Sequence, residues 1–160
     1  MRILGIDPGT NRIGYGLVEK KDGALKLVDC GLLEIPKKDN GKFLILANEI
    51  EKIIKKFKPD MASIEKIYFS KNQKTAIEVA QARGIIILLL LKNDIPFIEY
   101  GPSEIKQRIT GYGLNDKKAV AKMVSKFLNV STADMIDDVT DALAIAIAAS
   151  MEIENNRRIR

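Results

Sequence analysis

Ile3-Leu4-Gly5-Ile6-Asp7-Pro8-Gly9-Thr10 starts as an apolar strand, meets one aspartate and turns at once. A strand buries alternate residues with a period of two; Pro then removes a ladder donor and Gly accepts positive φ, so the strand ends at Asp7. Rigid backbone thereby fixes a carboxylate at a strand end. Asp before Pro-Gly also begins ordinary turns, so Asp7 gains chemical meaning only when other acids join it.

Two further strands follow, Arg12–Glu19 and Leu25–Ile35, joined by Pro8-Gly9-Thr10-Asn11 and Lys20-Lys21-Asp22-Gly23. Such short polar connections predict an antiparallel meander. The pattern then alternates: a helix over about Gly41–Phe57, a strand Met61–Glu65, a long helix from about Lys74 to Lys92 and a strand Ile95–Tyr100. Short helices are expected near Pro102–Ile109 and Lys117–Leu128. The last helix, about Asp137–Ile153, runs through Ala142-Leu143-Ala144-Ile145-Ala146-Ile147-Ala148-Ala149, apolar on nearly every side, and must pack deeply. Asn155–Arg160 reads as a polar, basic end prone to fraying. The expectation is one α/β domain over residues 1–155 with a basic tail at 156–160. A meander followed by alternation gives a five-stranded mixed sheet flanked by helices, the general plan of ribonuclease H-like folds.

The composition excludes more than it suggests. Histidine is absent from the 160 residues, which removes imidazole bases, His-dependent triads and His-ligated zinc together. A single cysteine, Cys30, makes no internal disulfide, and no charged-then-apolar leader precedes the first strand, so a cytoplasmic location is expected. The longest aliphatic run, Ile85–Leu91, is far short of the roughly 18 residues of a membrane span. Lys plus Arg number 26 against 21 Asp plus Glu, and the resulting +5 suits a polyanionic partner. Chemistry is left to carboxylates, hydroxyls and amines.

Glu65 closes Met61-Ala62-Ser63-Ile64-Glu65 as Asp7 closes the first strand, so neighbouring strands bring two carboxylates together. Asp138 and Asp141 stand three apart at the start of the final helix, on one face and a turn apart. Each acid has a bland explanation, as a helix N-terminal charge or a surface ion pair. Asp141 is harder to dismiss, because a lone carboxylate ahead of an apolar stretch is costly unless paired or metal-bound. Four gathered carboxylates repel, and hard divalent cations relieve that by binding the ionised forms. Mg2+ is the expected cofactor, two ions per site with Mn2+ as a substitute, a constellation suited to phosphodiester hydrolysis without histidine.

These residues resemble the RuvC family of bacterial Holliday-junction resolvases over nearly the whole chain. The likeness rests on Ile6-Asp7-Pro8-Gly9-Thr10, Ile64-Glu65 followed by Lys71-Asn72, Gln81-Ala82-Arg83-Gly84, and Asp138-Val139-Thr140-Asp141-Ala142-Leu143-Ala144-Ile145-Ala146. It implies a ribonuclease H-like homodimer that nicks a four-way DNA junction symmetrically in recombination and repair, leaving 5′-phosphate and 3′-hydroxyl ends. Asp7, Glu65, Asp138 and Asp141 match its metal-binding acids. Around Asp137 some relatives carry other residues, including a nearby histidine, which leaves open the ion that Asp138 contacts. The likeness places Tyr68 where relatives stack an aromatic on an unpaired base, with Phe69 adjoining it as either a second ring or a core aromatic. Lys71 falls in the same motif. Lys106 and Lys117 match basic positions near the acids, and Arg108 and Lys118 add local charge for phosphate binding. Gly111-Tyr112-Gly113 between them is expected to be a flexible loop. The branch-migration proteins RuvA and RuvB are partners implied by the resemblance. The apolar Ile85–Leu91 stretch serves either the monomer core or the dimer interface.

Three other readings remain at this level. Asp7-x-Gly9-Thr10 also opens the phosphate loop of actin-like nucleotide-binding proteins, but the chain has no second copy of the loop and little length for another such domain. A non-catalytic DNA-binding module has no reason to concentrate acids near phosphate. A related nuclease acting on RNA or on other branched DNA shares the same chemistry.

Overall fold

The computed structural model describes residues 1–37, 41–67, 73–114 and 116–158, with side chains throughout except at 73–74 and 153–158. Strands β1 (Arg2–Asp7), β2 (Arg12–Lys21) and β3 (Ala24–Glu34) form the expected meander. Asp22 and Gly23 both take positive φ, 52° and 80°, so β2 and β3 are joined by a two-residue turn of the type whose twist matches the strands. Strand β4 (Met61–Glu65) pairs parallel with β1, and β5 (Phe97–Tyr100) pairs parallel with β4. The sheet order is β3-β2-β1-β4-β5, mixed and five-stranded.

Period-two alternation divides the sheet into two faces. One face carries Leu4, Ile6, Ile13, Leu17, Ala62 and Ile64, covered by helices α1 (Lys42–Phe57) and α2 (Gln73–Lys92) through Leu46, Ile50, Ile86 and Leu90. The other carries Ile3, Val18 and Met61, covered by α3 (Pro102–Thr110), α4 (Lys117–Leu128) and α5 (Asp137–Arg158).

On this second face the centre of the sheet is hollow. Gly16, Gly5 and Ser63 lie side by side across three strands, and α5 occupies the trough they leave. A Cβ on Gly5 would stand 2.1 Å from the Ala142 carbonyl oxygen, and one on Gly14 would stand 1.9 Å from that of Asp138. Residues 142 to 150 of α5 are all buried, so this helix is the spine of the core.

β2 runs to Lys21 rather than Glu19 and β3 is shifted by one residue, and two further boundaries differ in kind or by more than a turn. Ile95 belongs to the end of α2 rather than to β5: its N–H donates to Leu90 O at 3.0 Å, that of Asp94 donates to Leu91 O at 3.1 Å, and Asp94 takes φ 53°. This is a left-handed helix cap with its buried apolar residue one place on, and the strand begins after Pro96. Helix α5 continues to Arg158, past the expected end at Ile153, so the stretch read as a fraying tail begins in helix.

Candidate active site

The register that pairs Gly5 with Ser63 and Ile6 with Ile64 continues to set Asp7 beside Glu65 at the ends of two parallel strands. Asp7 is followed by a turn anchored at Asn11, whose carbonyl accepts from Ile35 N–H at 2.7 Å and whose amide donates to Ile35 O at 3.2 Å. Above them, the close seat of α5 on Gly14 and Gly5 brings Asp138 and Asp141 down over the strand ends. Small residues in the sheet thus position acids on the helix.

The electrostatics follow from that crowding. Burial, then the charges of Glu65, Asp141 and Asp138, push the Asp7 carboxyl up to about 8. Near neutral pH Asp7 therefore holds a proton. Burial and Asp141 also raise Glu65, opposed by its hydrogen bond with Asp7 and by the Lys117 and Lys106 ammoniums. Burial raises Asp141 too, against the pull of Lys117. Asp7, Glu65, Asp138 and Asp141 thus share one electrostatic site.

Two cations sit among these acids. Lys117 Nζ lies 3.2 Å from Asp141 Oδ2 and 3.4 Å from Asp137 Oδ2, and although burial works against its charge, these carboxylates hold the ammonium above its ordinary pKa. Its backbone is fixed by the α4 cap, where Asp116 Oδ1 accepts from Ala119 N–H at 2.8 Å. Arg12, at the start of β2, reaches Asp138 Oδ2 at 2.9 Å. Among the described residues no three acids close around one point at ligand spacing, and Asp137, Asp138 and Asp141 are engaged in these ion pairs. The donor set nonetheless fits a hard divalent cation: every group is a carboxylate oxygen, and its mutual repulsion is what such an ion relieves.

Beside the acids opens a cavity of about 190 Å³ between α3, α4 and α5. Glu65, Asp141, Lys106 and Lys117 rim it, over a floor that includes Ile105, Val120 and Ile145. Lys106 reaches this rim because α3 starts directly after β5, with Pro102 in its first turn and Glu104 Oε2 accepting from Gly101 N–H at 2.6 Å. Arg108, grouped with Lys106 from sequence, lies elsewhere: its guanidinium pairs with Glu152 at 3.1 Å and covers the Tyr100 ring at 4.6 Å. Tyr100 in turn donates to Glu152. Lys118 is exposed beside Lys117. Tyr68, Phe69 and Lys71 lie outside the described residues.

Sequence reasoning missed Arg12 and the trough. The trough left a signal in the alternating Gly14 and Gly16 of β2, opposite Gly5, and in the alanines of α5. Arg12 left none, because nothing in its surroundings announces a partner 126 positions away.

With this geometry in place, comparison with known proteins is direct. The family described as "Crossover junction endodeoxyribonuclease RuvC" matches residues 3–149. A protein of that name from Brachyspira hyodysenteriae is 47% identical over 150 residues, covering 92% of this chain and 92% of its own length. Another, from Caldicellulosiruptor saccharolyticus, is 45% identical over 92% of this chain and 90% of its own. Among solved structures, Thermus thermophilus RuvC in complex with a Holliday junction substrate superposes with a TM-score of 0.91 at 26% identity, covering 98% of this chain and 96% of that one. The mixed sheet and its helices are the ribonuclease H-like α/β fold. Nearly half of the residues are shared along almost the full length of these relatives, and on that basis the chain belongs to the RuvC family of crossover junction endodeoxyribonucleases.

Proposed function

We propose that this chain resolves four-way DNA junctions by paired, symmetric nicks that leave 5′-phosphate and 3′-hydroxyl ends, using Asp7, Glu65, Asp138 and Asp141 to hold two Mg2+ ions. The observation that carries this reading is the gathering of Asp7 and Glu65 at adjacent strand ends beneath Asp138 and Asp141 of the closely seated α5. A protein that must keep such a site intact needs cations to discharge it. When bound, those ions supply Lewis-acid charge at the scissile phosphate and the leaving 3′ oxygen.

The remaining roles belong to the chain itself. Asp7 and Glu65, hydrogen-bonded to each other without the ions, would hold them in their ionised forms. Lys117 and Arg12, which neutralise Asp141 and Asp138 without the ions, would yield those carboxylates to them, Lys117 keeping Asp137 beside it. Lys117 and Lys106 take DNA phosphate at the rim, with Lys118 adding charge beside Lys117, whereas Arg108 is held by Glu152. Tyr68, with Phe69 and Lys71 in the same motif, engages the opened crossover.

Twofold cutting calls for an isologous homodimer. The face of α2 supports one: Ile86, Leu89 and Leu90 are buried in the core, whereas Ile77, Leu88 and Leu91 stand 59%, 57% and 60% exposed. Together with Gln81 and Gly84 these follow a four-three spacing along the helix, an apolar seam of the kind that pairs helices. RuvA and RuvB are the partners expected at the junction. Nothing in the fold favours the actin-like reading.

The test is to incubate the protein with labelled four-way junction, linear duplex and RNA–DNA hybrid, with and without Mg2+, and map the ends. Symmetric Mg2+-dependent nicks confined to the junction are expected. Preferential cutting of the hybrid, or cutting in chelator, overturns the proposal.

A further inference from the structure

The loop between α3 and α4 presents two large side chains to solvent, with Lys106 on the helix before it and Lys117 and Lys118 on the helix after it. Tyr112 is 58% exposed and Leu114 is 78% exposed. The backbone beneath them is folded back on α3. Gly111 ends that helix at φ 81°, with its N–H donating to Gln107 O at 2.8 Å. The Thr110 hydroxyl lies 2.7 Å from Lys106 O and 2.9 Å from Tyr112 O, and accepts from Tyr112 N–H at 3.3 Å. A Cβ on Gly113 would stand 3.1 Å from Ser103 O, so this backbone lies close on the first turn of α3. The loop expected from its glycines to be merely flexible therefore has a defined course that leaves the Tyr112 side chain outside.

Its neighbours say what it meets. Lys106 stands one turn before the loop and Lys117 opens the helix after it, and both line the cavity shared with Glu65 and Asp141. Lys118 is exposed alongside. An outward aromatic on the connection between two helices whose lysines line the candidate site suits single-stranded nucleic acid: cations follow the backbone and rings accept the base faces. Burying the ring against a protein partner would also bury these ammoniums, whereas a nucleotide satisfies both. We propose that Tyr112, flanked by Leu114, is a stacking platform for an unpaired base of the bound junction, 44 positions after Tyr68 in the chain and carried by a different connection. This rests on the junction-cutting reading above.

The chain has no tryptophan, so Tyr112→Trp creates a single fluorescent reporter. It is placed in Asp7→Asn protein, to prevent cutting, with Mg2+ and a fluorescein-labelled four-way junction whose anisotropy reports occupancy. Tryptophan emission is expected to fall as the junction saturates, and to stay constant with blunt duplex bound to equal occupancy. In otherwise native protein, Tyr112→Ala is expected to weaken junction binding about tenfold, a loss restored by Tyr112→Phe because the ring face is kept. Unchanged emission on a fully bound junction, or native affinity in Tyr112→Ala, overturns the platform and leaves the nuclease reading standing. Absence of any junction binding in the native protein overturns both.

Discussion

The two faces of the sheet solve different problems. Against α1 and α2 the sheet presents Leu4, Ile6, Leu17 and Ile64, large side chains that fill volume and tolerate small rearrangements. Against α5 it presents Gly5, Gly14 and Gly16, so helix backbone rests almost on strand backbone and the distance between them is set by atoms that cannot adjust. The acids stand on the second face only. If these carboxylates share cations, as proposed above, their two supporting elements need a fixed separation, and direct backbone contact provides it.

The comparison can be broken most forcefully at Gly5. Gly5→Ala is expected to destabilise the protein by about 3 kcal/mol and to lower the cutting rate of the molecules that remain folded, because α5 must lift away from Asp7. Leu17→Ala on the opposite face is expected to cost about as much stability, 2–4 kcal/mol, yet leave the rate per folded molecule near native. Urea unfolding with single-turnover cutting separates the two. Equal losses of rate would show that both faces position the acids alike.

Asp7 gives the next largest effect. Its carboxyl ordinarily titrates at 3.8 and does so in the folded chain at about 8, so between those values the native state holds a proton the unfolded chain has released. Without divalent cations stability must therefore fall as pH rises from about 4 to about 8. Asp7→Asn is expected to flatten that slope and to be about 2 kcal/mol more stable than native protein at pH 8 in chelator, while losing cutting altogether. By the same linkage, Mg2+ affinity of the native chain should tighten with pH up to about 8, with proton release visible by calorimetry in buffers of different ionisation enthalpy.

Arg12→Ala sharpens the picture on the helix side. Removing an exposed partner should alter stability by less than about 1 kcal/mol while Mn2+ binds up to about fivefold more tightly, because Asp138 no longer has to be released. Weaker Mn2+ binding would mean that Arg12 orients Asp138 for the ion instead. The smallest change is expected at Ser63, whose hydroxyl is buried in the trough without a hydrogen-bond partner among the described residues. Ser63→Ala should be neutral or stabilise by up to about 1 kcal/mol in thermal unfolding, since it removes an unsatisfied polar group and keeps the trough open.

Most of the architecture was legible because it depends on local periodicity and punctuation. Ile3 to Asp7 alternates and stops at Pro8-Gly9, Asp22-Gly23 marks a hairpin, and the alanine-rich run after Asp141 has no polar face to expose. The four acids were legible as a set because each ends or begins an element whose type was clear. What escaped depends on the third dimension. Ile95 reads as a strand residue since apolar periodicity does not distinguish it from the residue that seals a helix cap. Arg108 reads as one more cation beside Lys106, and only the fold shows that Glu152, 44 positions on, meets it over Tyr100.

Helix α5 has two occupations, and their union has a consequence for folding. The segment that carries Asp138 and Asp141 is the same segment whose next nine residues are wholly enclosed. Loosening the carboxylates therefore means dismantling the interior, and amide exchange along this helix should report global opening rather than local breathing. A copy that has not consolidated its interior therefore also lacks the seat that brings Asp138 and Asp141 over Asp7 and Glu65.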